Sequence, residues 1–344
     1  EQAHFAANVA RAIGVPAVVD GARGSDVGHV WIGYLRLVGS NRYEWDFDEG
    51  RYKEYQSIRG NADDPQSGRS VPDGIVALTA GYMTIPQDRR EAAVALFDAA
   101  ERLAAVELAR TQFPPALAPG APAPATSPRT LGVAAQLDLI EKGLAACPVS
   151  RRGWDMIVRL AAAEKLNAEQ LDKWSRLVID LCGQDYPDFT LTALTPMIRT
   201  ISPPEAQDKQ WEWLHGRFVR RKDLAAAVRF EQGQMWERAG NSAKAWEMYN
   251  DVINRYPNDG QIIVEALRFA ERLLDSQNKS DQVLSIYQTA FGRITKPEKM
   301  SPEFAAGSTY VAVGQRYAAL LETAGKAAEA KRIRGLVTQV LGRE

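Results

Sequence analysis

The sequence predicts an α+β N-terminal segment, a helix plus an antiparallel sheet, followed by an all-α array of helical pairs. Three observations predict it. Extended runs rich in β-branched and aromatic residues are confined to roughly the first 60 residues. A Pro/Ala-rich stretch interrupts the chain at 113–130. Beyond it, amphipathic segments of helical period follow one another with turn residues between them. The chain has 344 residues, 45% apolar and 25% charged, with a formal net charge of -1. That length suffices for a small domain joined to a helical array. The near-zero charge gives no support for nucleic acid or an anionic membrane as partner. There is also no apolar run long enough to span a bilayer.

Residues 1–13, "EQAHFAANVARAI", read as a helix. Ala3, Ala6, Ala7, Ala10 and Ile13 fall near one face, with Phe5 and Val9 flanking it. No capping residue precedes Glu1, so the expectation is a helix cut at or near its start, with any signal peptide upstream of Glu1. Gly14 and Pro16 end the helix, and the β-branched run Val15 to Val19 reads as extended. "HVWIGYLRLV", residues 29–38, is a strand apolar enough to be buried on both faces. "GSN" turns the chain, and "RYEWDF" returns with an aromatic at every second position, completing an antiparallel hairpin. Residues 60–74, "GNADDPQSGRSVPDG", are turn residues and predict a surface loop. The predicted organisation is therefore a partial α+β domain at 1–75, a helical extension at 76–112, a semi-extended linker at 113–130 and helical repeats at 131–344.

The clearest helical pair is residues 225–259. Its first helix carries Phe230, Gly233 and Trp236, Asn241 or Ser242 caps the second, which carries Ala245, Tyr249 and Ile253, and Pro257 ends it. The pair resembles the tetratricopeptide repeat. Residues 310–341 repeat the pattern around "TAGKAAEA", and 149–183 and 261–292 are weaker pairs. Such pairs stack into a solenoid whose surface commonly binds peptides or partner proteins.

Gly14, Pro16, His29, Trp31, Trp45 and Asp48 carry a second resemblance. "IGVPA" after a helix, then a histidine with tryptophan two residues later, then a returning strand ending in tryptophan and aspartate, resembles the core of transglutaminase-like domains of papain-like cysteine fold. The resemblance covers roughly the first 60 residues. It implies thiol chemistry on amide bonds of a peptide or protein substrate, with His29 as general base and acid and Asp48, or Asp46 as second candidate, orienting the imidazole. Trp31 could wall the substrate cleft, although Trp31 and Trp45 are more often core aromatics than substrate platforms. The family's nucleophilic cysteine should open the first helix, yet no cysteine precedes Cys147. The expectation is that the chain as supplied is inactive, its nucleophile lying upstream. The alternative is a non-catalytic scaffold in which a degenerate domain and the helical repeats bind partner proteins.

For His29 and an even-numbered aspartate to share a face, facing residue numbers across the hairpin must sum to an odd number, as a Gly39–Arg42 loop allows; that register sets Asp48 opposite Gly33. No cofactor or metal is expected. His4 and His215 stand alone, the Glu44, Asp46, Asp48 and Glu49 edge lacks a calcium-loop period, and "GARG" lacks the lysine-bearing turn of a phosphate loop. "GRFVRRK", residues 216–222, reads as a solvated helix end. Cys147 and Cys182 read as buried thiols, compatible with a cytoplasmic or an exported protein.

Overall fold

The computed structural model describes residues 2–23, 28–40, 42–46, 60–64, 67–112, 128–259, 262–297 and 305–342. It is mostly helical, with an antiparallel sheet near the N-terminus followed by helices.

Helix α1 (Gln2–Ala12) stops where Gly14 adopts φ +84°, a conformation that favours glycine, and the Val15 N–H turns back to the Ala10 carbonyl. Arg11 Nε donates to the Ala17 carbonyl at 2.6 Å and ties the helix to the first strand. The strands are β1 (Ala17–Arg23), β2 (Gly28–Gly39), β3 (Arg42–Asp46), β4 (Asn61–Asp63) and β5 (Ser70–Pro72), in the spatial order β3-β2-β1-β4-β5. β1 runs antiparallel to β2 from Ala17↔Tyr34 to Arg23↔Gly28, and to β4 through Asp20↔Ala62 and Gly21↔Asn61.

The loop expected at 60–74 is therefore a small hairpin that extends the sheet. Asp64 closes it, its N–H donating to the Arg69 carbonyl while its carbonyl accepts from the Gly68 N–H, with Gly68 at φ +65°. Polar turn chemistry pointed to a loop, but β1 needs a second neighbour for its backbone groups, and β4 supplies it.

The helices are α2 (Asp73–Thr84), α3 (Gln87–Gln112), α4 (Pro128–Ala146), α5 (Arg151–Ala162), α6 (Ala168–Cys182), α7 (Pro187–Arg199), α8 (Pro204–Arg217), α9 (Lys222–Arg238), α10 (Ser242–Arg255), α11 (Ile262–Asp275), α12 (Ser280–Arg293), α13 (Thr309–Thr323) and α14 (Ala327–Val340). Of the linker expected at 113–130, residues 113–127 lie outside the described residues, and 128–130 form the first turn of α4, where proline's missing N–H costs nothing.

Two compact units divide the chain: residues 36–45 and 74–201 form one, and 1–35, 46–73 and 202–344 the other. In the first, Phe97 of α3 is fully buried where Gly143 of α4 and Gly153 of α5 leave room for its ring. Trp154 of α5 and Trp174 of α6 meet edge to face, their ring centres 6.2 Å apart. In the second, α9 and α10, α11 and α12, and α13 and α14 pack as antiparallel neighbours, and α9, α11 and α13 also touch in succession.

The same turn follows α5, α9, α11 and α13. Lys165, Asn241, Lys279 and Lys326 each donate a backbone N–H five residues back, to Leu160, Trp236, Leu274 and Leu321. The preceding residue has positive φ in every case: Glu164, Gly240, Asn278 and Gly325. This 6→1 closure satisfies carbonyls left open at a helix end and sets the reversal into the next helix. After α9, Asn241 is the N-cap, its side chain accepting from the Lys244 N–H.

Gly233 of α9 faces Tyr249 of α10 so closely that an added Cβ would come 2.5 Å from the ring. Gly233→Ala is expected to lower stability by about 1–3 kcal/mol through overpacking. Gly292→Ala, at a helical glycine with open space around it, should be neutral or stabilising by up to ~1 kcal/mol. Urea unfolding followed by circular dichroism checks the contrast, and equal effects at the two sites would remove the packing explanation.

Candidate functional sites in the sheet and the helical array

His29 lies in β2 with Ala22 as its backbone partner. Its side chain, and all of Asp48, fall outside the described residues. Trp31 is buried, 4% exposed, directly across from Asp20 of β1. Asp46 is also buried and accepts from the Tyr34 hydroxyl at 3.3 Å. Farther along the same ribbon, Arg36 and Glu44 pair at 3.4 Å. Both contacts join even-numbered residues of β2 and β3, and at the turn a Cβ on Gly39 would lie 3.9 Å from that of Arg42. Asp46 is thus placed with Tyr34. The two cysteines are free and buried; burial first of all pushes the Cys182 thiol up to about 12 and raises that of Cys147 as well.

The sheet gathers a carboxyl pair that residue patterns did not indicate. Asp20, fully buried in β1, lies beside Asp73 at the start of α2. Gly60 makes their approach possible: the Asp73 N–H donates to its carbonyl at 3.0 Å, and a Cβ there would overlap the Asp73 carboxylate and come within 2.8 Å of Asp20 Oδ1. Burial, then the hydrogen bond and charge of Asp73, raise the Asp20 carboxyl well above the usual range, while the Gly21 N–H and the Trp31 indole oppose this. Burial beside a second carboxyl thus favours the protonated form of Asp20. One signal was legible, an acidic residue inside the apolar run "AVVDG". Its partner is remote in sequence and sits among turn residues.

The helical array carries a repeated three-residue constellation. Glu237 near the end of α9 accepts from the Tyr249 hydroxyl of α10 at 2.8 Å and from Arg272 Nη2 of α11 at 2.6 Å. One pair further on, Glu271 of α11 accepts from the Tyr287 hydroxyl of α12 at 2.7 Å and from Arg316 of α13, through Nη2 and, at 3.3 Å, Nε. Each glutamate so joins its own pair's second helix to the first helix of the next pair. Burial works against the Glu271 charge, but Arg316 and Tyr287 outweigh it and hold its carboxyl below the usual range. Burial and the adjoining glutamates raise both tyrosine hydroxyls, so Tyr249 and Tyr287 stay protonated donors.

Above this second constellation is a groove of about 620 Å³ lined by α11, α12 and α13, with Val264, Leu267 and Val313 among its apolar residues and Arg268, Arg272 and Arg316 among its charged ones. Elsewhere in the array, His215 of α8 makes a 2.8 Å hydrogen bond to the Tyr256 hydroxyl, and burial lowers its pKa to about 4. It is a neutral packing histidine. Among the described residues no cluster of three potential metal ligands occurs, and no helix is long and apolar enough to cross a membrane. Neither a scan against protein-family models nor a search of curated proteins finds a match to the chain.

Two outcomes follow from these sites. Because the folded state raises the Asp20 pKa above the unfolded value near 3.9, its contribution to stability is full below about pH 4 and is lost as pH rises. Asp20→Asn should therefore flatten the decline in thermal stability between about pH 4 and about pH 9, measured as Tm against pH; an unchanged slope would show that Asp20 is not the group responsible. Glu271→Leu leaves the Tyr287 hydroxyl unpaired and should cost about 1–3 kcal/mol, a loss that Tyr287→Phe in the same chain partly relieves in a double-mutant cycle.

Proposed function

We propose that this chain is a protein-interaction module: a tetratricopeptide-like helical array that binds partner proteins, preceded by a transglutaminase-like sheet that is not catalytic by itself. The observation carrying this reading is the α11–α13 groove, whose walls are fixed by the Glu271–Tyr287–Arg316 constellation. Preorganised walls lower the entropic cost of binding an extended segment, and concave surfaces of stacked helical pairs commonly serve this purpose.

A second reading, amide-bond chemistry of the transglutaminase-like kind, draws on one observation: a helix is followed by an antiparallel sheet in which the strand of His29 and Trp31 neighbours the strand of Trp45 and Asp46. In that reading His29 is the general base, and Asp48 or Asp46 orients it. The buried, proton-holding thiols of Cys147 and Cys182 are unsuited to act as its nucleophile.

Fluorescence anisotropy of the full chain against peptides of varied charge and hydropathy should find binders in the micromolar range, and Ala312→Trp, which fills the groove, should weaken them by about tenfold or more. Amide hydrolysis by the same preparation should remain at the uncatalysed rate. Turnover abolished by His29→Ala would overturn the non-catalytic reading in favour of the second.

A further inference from the structure

We infer that one edge of the helical array, where α8, α10 and α12 end, docks on an anionic lipid surface. It is a second interaction surface, separate from the α11–α13 groove and independent of it.

The edge lies at the opposite end of the helical pairs from the 6→1 turns, and hydrogen bonds join its helix ends in series. The Tyr256 hydroxyl, at the end of α10, bonds His215 of α8. Arg293, at the end of α12, donates to the Asn254 carbonyl of α10, and the Thr295 N–H donates to Asn258 Oδ1 at 2.8 Å. Lys296 then reaches α14, its Nζ donating to Gln339 Oε1 at 2.8 Å. The helix ends are thus held side by side, and the side chains on them share one border.

Three carboxylates stand at this border, and each is taken. Asp223 is gripped by Arg221, through Nε at 3.0 Å and Nη2 at 2.9 Å. Asp251 is shared by Arg229 and Arg255. Asp259 lies close enough to Lys222 to feel its charge. Arg217, Arg220, Arg293 and Lys296 are exposed, and among the described residues none of the four has an ion-pair partner. Their contacts are neutral: Arg217 lies 5.5 Å from the centre of the Trp213 ring, Arg293 meets a backbone carbonyl, and Lys296 meets an amide oxygen. Helix dipoles do not offset the excess, because the C-termini of α8 and α10 are met at the same edge by the N-termini of α9 and α11. The formal net charge of -1 does not offset it either, since charges farther off than a Debye length of about 8 Å are largely screened.

The α8–α9 turn adds an apolar tip. Phe218 is 4% exposed and anchors the turn, which the Arg221 N–H closes on the Phe218 carbonyl at 2.8 Å, whereas Val219 is left 57% exposed. A protruding apolar side chain flanked by cations suits the boundary between headgroups and acyl chains. A single-stranded nucleic acid would need aromatic faces on which its bases stack. At this edge Trp213 is engaged by Arg217, and Tyr256 is buried. A bilayer asks for no such platform, and it offers headgroup charge to several helix ends at once.

The test sediments the full chain with vesicles of phosphatidylcholine, with or without about 30% phosphatidylserine. Each cation near an anionic bilayer raises partitioning about fivefold, so the phosphatidylserine vesicles should bind the chain about tenfold or more above phosphatidylcholine alone. The difference should shrink as NaCl rises from about 50 to 300 mM. Arg217→Glu with Arg220→Glu should weaken partitioning by about tenfold or more, and Arg293→Glu, on another helix, by about fivefold. Val219→Ser should weaken it with the salt dependence kept. Arg159→Glu, in the other compact unit, should leave it unchanged, and circular dichroism checks that each variant is folded. Equal partitioning onto the two kinds of vesicle would overturn the proposal, as would a preference that Arg217→Glu with Arg220→Glu leaves intact. Binding of a single-stranded oligonucleotide that the same substitutions abolish, without any preference for phosphatidylserine, would put a nucleic acid in the place of the membrane.

Discussion

A carboxylate shared among three helices is the interaction on which the helical array most depends. Two consecutive helical pairs touch through apolar side chains, and such contacts alone tolerate sliding and rotation. Glu237 and Glu271 remove that freedom. Each binds a tyrosine of its own pair through Oε2 and an arginine of the next pair through Oε1, with Arg316 Nε also reaching Glu271 Oε2, so a single carboxylate sets both the geometry inside a pair and the step between pairs. The Glu271 charge is costly to bury, and Arg316 together with Tyr287 makes it tolerable. Removal of the arginine would therefore disturb the position of the tyrosine as well, because both read the same carboxylate.

The sheet uses the opposite electrostatic arrangement. Asp20 has no cation among the principal influences on its charge; its neighbour is another carboxyl group, and burial beside it favours the protonated form. Gly60 is the enabling residue, since its missing side chain is the space the two oxygens occupy. The sheet and the array therefore respond to acid in opposite senses. Acid favours the protonated Asp20, whereas it removes the charge that Glu271 needs to hold Arg316.

How legible each part was in the sequence follows from how local its cause is. The pairs at 225–259 and 310–341 were plain because Gly240 and Gly325 mark their turns. The pairs at 149–183 and 261–292 were fainter because Glu164 and Asn278 adopt the same left-handed conformation without a glycine to announce it. Strands β4 and β5 were missed altogether: "NAD" and "SVP" are too short to express a period of two, and they exist because the edge of β1 is there to receive them. The hairpin of β2 and β3 was visible from its aromatics. The Glu–Tyr–Arg constellation is invisible to any local window. Its members come from three helices, and only the packing of the pairs brings them together.

The cysteines give the molecule an internal gauge of its own breathing. Both belong to the unit of residues 36–45 and 74–201, and both keep their protons in closed surroundings. An electrophile added to the folded chain meets no thiolate until α4, α5 or α6 lifts away, so the pace of alkylation records the opening of that unit and is silent about the helices beyond residue 201.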